Sequence, residues 1–385
     1  MTITRIPKEW GVLREPRTPK HLRKDIMTHG YTYDEIFDWD TLFNDALDIG
    51  HGRTLLIGSP LYELKQLIKF EVDGKPVRHS FHDLTNVTLT LVEASAETLT
   101  IPHPKKDLVI NVEKLCSDFE GLGCITTMQK NEPIEWIQDW VTYYYTEHNV
   151  RGFCVYDNNS DKYTVEELQE SLDALNLDGA IIHVVNWCVP KGPNVPPLWD
   201  SSFAQFTMFE HSKYKYMWCA KFTLNHDIDE YLVADDIHDV AEQLTKNKRG
   251  AIRYYSRNID PYNESLGVSA HTLPPNERRA KDYYYYSDYN NTDNTVVEQR
   301  IFTKWLTIPE YAMEYQWRVH DFHGQNDAIV AQIDSGIYFA HMYALQSGHK
   351  DFHVCFHDRN KMLVDISHLT KDERLKRSLD SGFML

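Results

Sequence analysis

Asp227-Ile228-Asp229-Glu230 puts two carboxylates at i and i+2, with a third directly beside them. Just past the end of a strand, such a pair can point toward one ion. Hard oxygen ligands suit Mg2+ or Mn2+, which keep several waters and take substrate phosphates in the remaining positions. With 57 Asp and Glu in 385 residues, an acidic triplet also arises by chance. What raises this one is its place behind the apolar, aromatic run Tyr216–Leu224. Two more polar loops stand in the same relation to apolar runs: Lys130-Asn131-Glu132 after Cys124–Met128, and Asp157-Asn158-Asn159-Ser160 after Phe153–Tyr156. Asp157 at a strand end can meet the edge of a nucleobase; it can equally form an Asx turn or cap the next helix. The Lys130–Glu132 loop carries the same two readings, and a helix N-terminus behind it offers N–H groups to an anion.

These loops need a scaffold that brings strand ends together. Cys124–Met128 reads as a buried strand, and Pro133 then opens a helix with Ile134, Ile137, Val141 and Tyr144 at helical spacing. Phe153–Tyr156 is a second strand, 165–175 a second helix, Ala180–Val185 a third strand and 200–213 a third helix, before Tyr216–Leu224. This alternation predicts an α/β fold: a mostly parallel sheet flanked by helices, with ligands bound beyond the carboxyl ends of its strands. Ahead of it, residues 1–53 read as polar and irregular, with Pro7, Pro16 and Pro19. Short apolar runs separated by turn residues then predict a smaller, mostly antiparallel β-rich module over 54–115. The expected organisation is an N-terminal lead and module over 1–118, a catalytic domain over 119–345, and a C-terminal helical tail over 346–385.

Composition removes several classes of function. A formal net charge of −17 and a pI near 5.5 exclude nucleic acid as the main partner, because a phosphate backbone needs a basic face. The short basic run Lys246-Asn247-Lys248-Arg249 reads as a solvated helix end. No apolar stretch is long enough for a membrane span, and the first residues lack a signal-peptide core. Six scattered cysteines without CxxC spacing read as buried thiols. A cytoplasmic location is the expectation.

The run Gly123-Cys-Ile-Thr-Thr-Met-Gln-Lys-Asn-Glu-Pro-Ile-Glu-Trp-Ile-Gln-Asp-Trp140 resembles the opening of GT-A glycosyltransferases of the family-92-like and family-2-like kinds. Tyr156-Asp157-Asn158-Asn159-Ser160 is similar to their Asp-Asn-x-Ser loop. Trp218 through Asp227-Ile-Asp229-Glu230-Tyr231-Leu232 looks like their Asp-x-Asp metal motif, with Tyr in place of Phe. Phe302-Thr303-Lys304-Trp305 with Val319-His320 is similar to a Lys-x-Ile…His segment, and Ala340-His341-Met342-Tyr343 through Ser347 to a His-Tyr…Ser ending that Met342 interrupts. The likeness covers about 120–350 and does not extend to 1–115.

The resemblance implies a metal-dependent transferase that moves a sugar from a nucleotide-sugar donor, UDP-linked, to a saccharide acceptor in polysaccharide or glycan assembly. It implies Mn2+ or Mg2+ on Asp227 and Asp229, with His320 or His341 completing the site or touching a phosphate. Lys304 would neutralise diphosphate charge, while Asp157 and Glu132, with Lys130, Asn131 and Asn158, would face the nucleoside. A glycolipid acceptor would bring the protein to a membrane surface. An inverting mechanism needs a carboxylate base; Glu277, Asp282, Asp288 and Asp293 are the candidates, with Glu277 taken first. Trp187, Trp199 and Tyr283–Tyr286 read either as stacking platforms for sugar rings or as packing. Two other readings remain: a nucleotidyltransferase on the same sheet, disfavoured by the lack of a glycine-rich turn after Met128, and a non-catalytic carbohydrate-binding protein.

Overall fold

The computed structural model describes residues 2–11, 38–190, 203–287, 289–290, 295–296, 302–323, 330–332, 336–342, 344–345 and 369–384. The chain divides into two compact units. One combines residues 1–118 with 186–218 and 313–324; the other combines 119–185, 219–312 and 325–385. None of the described helices is long and apolar enough to cross a membrane.

In the first unit the N-terminal segment is less irregular than its polarity implies. Thr41–Phe43 and Asp45–Asp48 are strands, because Leu42, Phe43, Ala46 and Leu47 are all fully buried. Asp45–Asp48 enters a five-stranded sheet with Thr54–Gly58, Val87–Val92 and His79–Leu84, all antiparallel, and with Glu113–Lys114 in parallel. A four-stranded antiparallel sheet holds Leu108–Asn111, Thr98–Ile101, Phe70–Val72 and Lys75–Val77. The helix Phe203–Lys215, expected to alternate with strands of the main sheet, belongs to this unit instead. It is buried on nearly every side, so its polar groups find partners inside: His211 Nε2 lies 2.9 Å from Asp45 Oδ2, and Lys213 Nζ 2.6 Å from Glu210 Oε2. Trp187 packs here too, its Nε1 donating to Ala204 O at 2.8 Å beside the His211 ring. A fully buried indole with its N–H occupied cannot stack on a sugar, so the packing reading of Trp187 holds.

The second unit is built on one mixed sheet. Its first strands are β1 (Gly123–Gln129), β2 (Gly152–Asp157) and β3 (Ile181–Asn186), linked by helices α1 (Ile134–His148) and α2 (Val165–Asp173). β4 (Phe222–Asn225) lies on the other side of β1, giving the order β3-β2-β1-β4, with β1 parallel to both neighbours. The run expected as one strand over Tyr216–Leu224 is broken: Met217–Cys219 forms a 3-10 turn before β4 begins. Past the Asp227–Glu230 turn come β5 (Glu230–Val233), α3 (Ile237–Lys246) and the long β6 (Ala251–Asp260). β7 (Tyr285–Ser287), β8 (Thr303–Thr307), β9 (Val330–Gln332), β10 (Tyr338–Met342), β11 (Leu369–Lys371) and helix α4 (Glu373–Gly382) complete the unit. β8 runs antiparallel between β4 and β6, so the parallel half of the sheet gives way to a mixed half. α1 buries Trp136, Ile137, Trp140, Val141 and Tyr144 in a core shared with Phe153, Val155, Leu168 and Phe222. In the Tyr-rich run, Tyr283 and Tyr284 are buried, and the Tyr284 and Tyr285 hydroxyls donate to the Glu264 carboxylate. Trp199, Asp288 and Asp293 lie outside the described residues.

Candidate functional site

The Asp227–Glu230 segment is a tight turn between β4 and β5, closed by the Glu230 N–H donating to Asp227 O at 3.0 Å. The turn is closed a second time from below, because Glu230 Oε2 accepts the Asp227 N–H at 2.9 Å. Beneath it sits Lys304 on β8, with no exposed surface, its Nζ 3.1 Å from Asp227 Oδ2 and 3.0 Å from Glu230 Oε2. A buried ammonium is tolerated only when carboxylates surround it. Burial opposes the Lys304 charge, but Asp227 and Glu230 outweigh it and hold the lysine above its ordinary range. The Glu230 carboxyl is pushed up to about 7, chiefly by burial, with Lys304 pulling against that rise. Next to it His226 is fully buried, and its Nε2 lies 2.7 Å from the Tyr254 hydroxyl. Burial and the Lys304 charge drive the His226 pKa well down, so this ring is neutral at pH 7.

Asp229 is presented differently. β5 pairs antiparallel with β10, which sets Glu230 opposite His341, and the Met342 N–H donates to Asp229 O at 2.7 Å. This register leaves His341 Nε2 3.4 Å from Asp229 Oδ2. Two cis ligands of an octahedral ion with bonds of about 2.1 Å stand about 3.0 Å apart. The carboxylate oxygen and the imidazole nitrogen stand slightly wider than that, so a small inward turn of either side chain would let them share one divalent cation, with Mn2+ taking the nitrogen more readily than Mg2+. Asp227 has one oxygen on Lys304 and is partly exposed. His320 is exposed and belongs to the first unit.

The two other loops come together at the ends of β1 and β2, which the in-register pairing of Gln129 with Asp157 aligns. Both Asp157 oxygens are engaged: Oδ2 accepts the Ser160 N–H at 3.0 Å, while Oδ1 accepts from the Ser160 hydroxyl and Gln129 Nε2. This is the Asx turn weighed from the sequence; the cap of α2 is Thr164, in a capping box with Glu167. Asn131, left-handed at φ 58°, stitches the loops by accepting the Asp161 N–H at 2.8 Å and donating its own N–H to Ser160 Oγ at 2.8 Å. The Asn158 N–H donates to Gln129 O, and Glu132 O accepts from the Tyr163 hydroxyl at 2.7 Å. Lys130 is half-buried at the same strand end. Lys130, Asn131, Glu132, Asp157 and Asn158 thus form one polar rim, whose organisers Gln129 and Tyr163 carry no motif of their own.

Glu277 lies exposed in the 3-10 turn Pro275–Glu277. The residues behind it are pinned. Arg278 O accepts Trp136 Nε1 at 2.8 Å, Arg278 Nη1 donates to Ala344 O at 3.3 Å, and the Arg279 guanidinium forks onto buried Asp139. Asp282 is half-buried, and burial raises its carboxyl pKa.

The model of glycosyltransferase family 92 matches residues 122–363, more than half of the chain. No curated protein sequence matches it. Among solved structures, the mannosyltransferase Ktr4p from S. cerevisiae in complex with GDP is similar at 11% identity, covering 39% of this chain and 43% of that one, with a TM-score of 0.25. A second structure of the same enzyme is similar at 10% identity, covering 38% of this chain and 41% of that one, with a TM-score of 0.24. The chain therefore spans less than half the length of either structure.

Proposed function

The chain belongs to glycosyltransferase family 92, and from that premise we propose a metal-assisted transfer of sugar from a nucleotide donor, UDP-linked, to a saccharide or glycolipid acceptor. Family membership favours glycosyl transfer over nucleotidyl transfer. The observation that carries the metal is the 3.4 Å approach of Asp229 Oδ2 and His341 Nε2. Mn2+ or Mg2+ held there supplies the positive charge a diphosphate leaving group requires. Asp229 and His341 hold the ion, and Asp227 stands beside them, fixed in direction by Lys304. The lysine, with no surface of its own, acts on the donor only through Asp227. The rim of Lys130, Asn131, Glu132, Asp157 and Asn158 receives the nucleoside, with Asp157 acting by shaping the loop. Glu277 takes the proton of the acceptor hydroxyl in an inverting reaction. Its exposure, on a segment tied to Ala344 three residues past His341, supports that role.

The test is a thermal-shift screen of nucleotides and nucleotide sugars with and without Mn2+, followed by turnover of the best donor. A ligand at 100 times its Kd stabilises by about 2.7 kcal/mol, so the base is read directly. Asp229→Asn keeps the size of the side chain and removes its charge. Donor turnover is expected to fall at least ~100-fold, about 2.7 kcal/mol of barrier, with little change in Tm. Full activity in EDTA would sink the metal role.

A further inference from the structure

β5, which follows directly from Asp229, has a strand neighbour on one edge alone among the described residues, β10. The backbone groups of its other edge are buried and need partners. Side chains of α1 supply them. The Tyr144 hydroxyl donates to Glu230 O at 3.0 Å and accepts the Leu232 N–H at 3.0 Å. A residue of a parallel strand opposite Tyr231 would use its own N–H and C=O to engage those same two groups, so one hydroxyl stands in for a strand residue. One turn further along the helix, His148 Nε2 lies 2.8 Å from Leu232 O, and the Tyr143 hydroxyl donates to the same oxygen at 2.6 Å. The two donors occupy the two lone pairs of that carbonyl. Burial lowers the His148 pKa to about 4, so the ring is neutral and its Nε2–H is a donor.

We propose that Tyr143, Tyr144 and His148 are positioning residues for the ion site: a side-chain clamp that fixes the free edge of β5 and thereby the direction of the Asp229 carboxylate toward His341. The proposal rests on the reading of Asp229 and His341 as ion ligands. A site of two protein ligands depends on their relative placement, and β5 is the element that sets it. The hydroxyl of Tyr144 is the centre of the clamp, because it touches backbone on both sides of Tyr231.

The experiment is Mn2+ binding to the full chain, read by the EPR signal of free ion, alongside Tm in EDTA. Tyr144→Phe keeps the ring and its packing and removes both hydrogen bonds. It is expected to weaken Mn2+ binding about 10-fold, the scale seen when groups that orient metal ligands are lost. Leu172→Ala, which hollows the same core from α2, lowers Tm and is expected to leave Mn2+ binding unchanged. Wild-type affinity in Tyr144→Phe overturns the clamp, as does equal weakening in Leu172→Ala. Should Tyr144→Phe not fold, His148 decides. His148→Leu is expected to weaken binding and His148→Gln, which keeps a donor, to restore it; wild-type affinity in both overturns the clamp. Asp229→Asn separates the two layers: if it binds Mn2+ like wild type, the ion site itself is wrong and the clamp falls with it.

Discussion

Lys304→Met replaces a buried ammonium by a thioether of similar length and leaves Asp227 and Glu230 without their shared cation. The consequence is worked from Glu230, which has almost no exposed surface. In the folded wild type its pKa is about 7, against 4.5 for the unfolded chain. A raised carboxyl loses stability with rising pH wherever the unfolded chain is ionised and the folded one is not. Wild-type stability from this group is therefore full below pH 4.5, falls by about 3 kcal/mol between 4.5 and 7, and levels off above 7 once Glu230 ionises in both states. Without Lys304 the principal force holding that pKa down is gone, and the carboxyl stays protonated well above pH 7. The variant's stability then keeps falling by about 1.4 kcal/mol per pH unit where the wild type is level. Any change in packing or in lysine burial adds an offset that does not vary over this range. Urea unfolding of both proteins in EDTA at pH 6, 7, 8 and 9 reads the slope. Parallel curves above pH 7 would refute the reasoning, because Lys304 would then not be what keeps Glu230 ionisable.

Two other predictions address the remaining contacts. Asp157→Ala removes the acceptor of three hydrogen bonds and leaves Gln129 Nε2 buried, so stability is expected to fall by about 1–3 kcal/mol and nucleotide affinity with it. Equilibrium unfolding and nucleotide titration check the two halves: unchanged stability refutes the turn, and unchanged affinity removes this loop from the donor site. Gly382→Ala would set a Cβ 2.5 Å from Tyr143 Cδ2, so α4 must shift against α1. A loss of about 1–3 kcal/mol is expected, and a Tm equal to wild type would show that the contact yields freely.

The parallel half of the sheet was legible because each element announces itself locally. Ile134, Ile137, Val141 and Tyr144 recur with helical period, and Cys124–Met128 and Phe153–Tyr156 are apolar runs too short for helices; the strands found extend those runs by a residue at each end. Where the local signal was mixed, the reading failed. Tyr216–Leu224 looks continuous because its aromatics serve a 3-10 turn and a strand alike, and only Lys221, donating its N–H to Leu122 O, marks the join. Asp45–Asp48 reads as polar, yet the Asp45 side chain is buried against His211, a partner 166 residues away. The same distance problem hides the ownership of the helix Phe203–Lys215: its length was predictable, whereas the unit it joins is decided by contacts that no window of sequence contains.

The acidic triplet shows the same limit at the level of chemistry. Composition and position marked Asp227, Asp229 and Glu230 as a group, and spacing alone treats them as equivalent oxygen donors. The turn makes them unequal. Glu230 begins β5 and is drawn inward, where it caps the Asp227 N–H and meets Lys304. Asp227 ends the approach from β4 and shares that lysine, while keeping part of its surface. Asp229, at the crest, has its backbone carbonyl fixed by Met342 and its carboxylate facing His341. A strand lysine in the run Ile301-Phe302-Thr303-Lys304-Trp305-Leu306 was the sequence's one sign of this arrangement, since an ammonium in a largely apolar run demands buried acids. Read that way, Lys304 identifies two of the three carboxylates as its own partners and leaves Asp229 as the one that faces His341, the approach on which the proposed ion site rests.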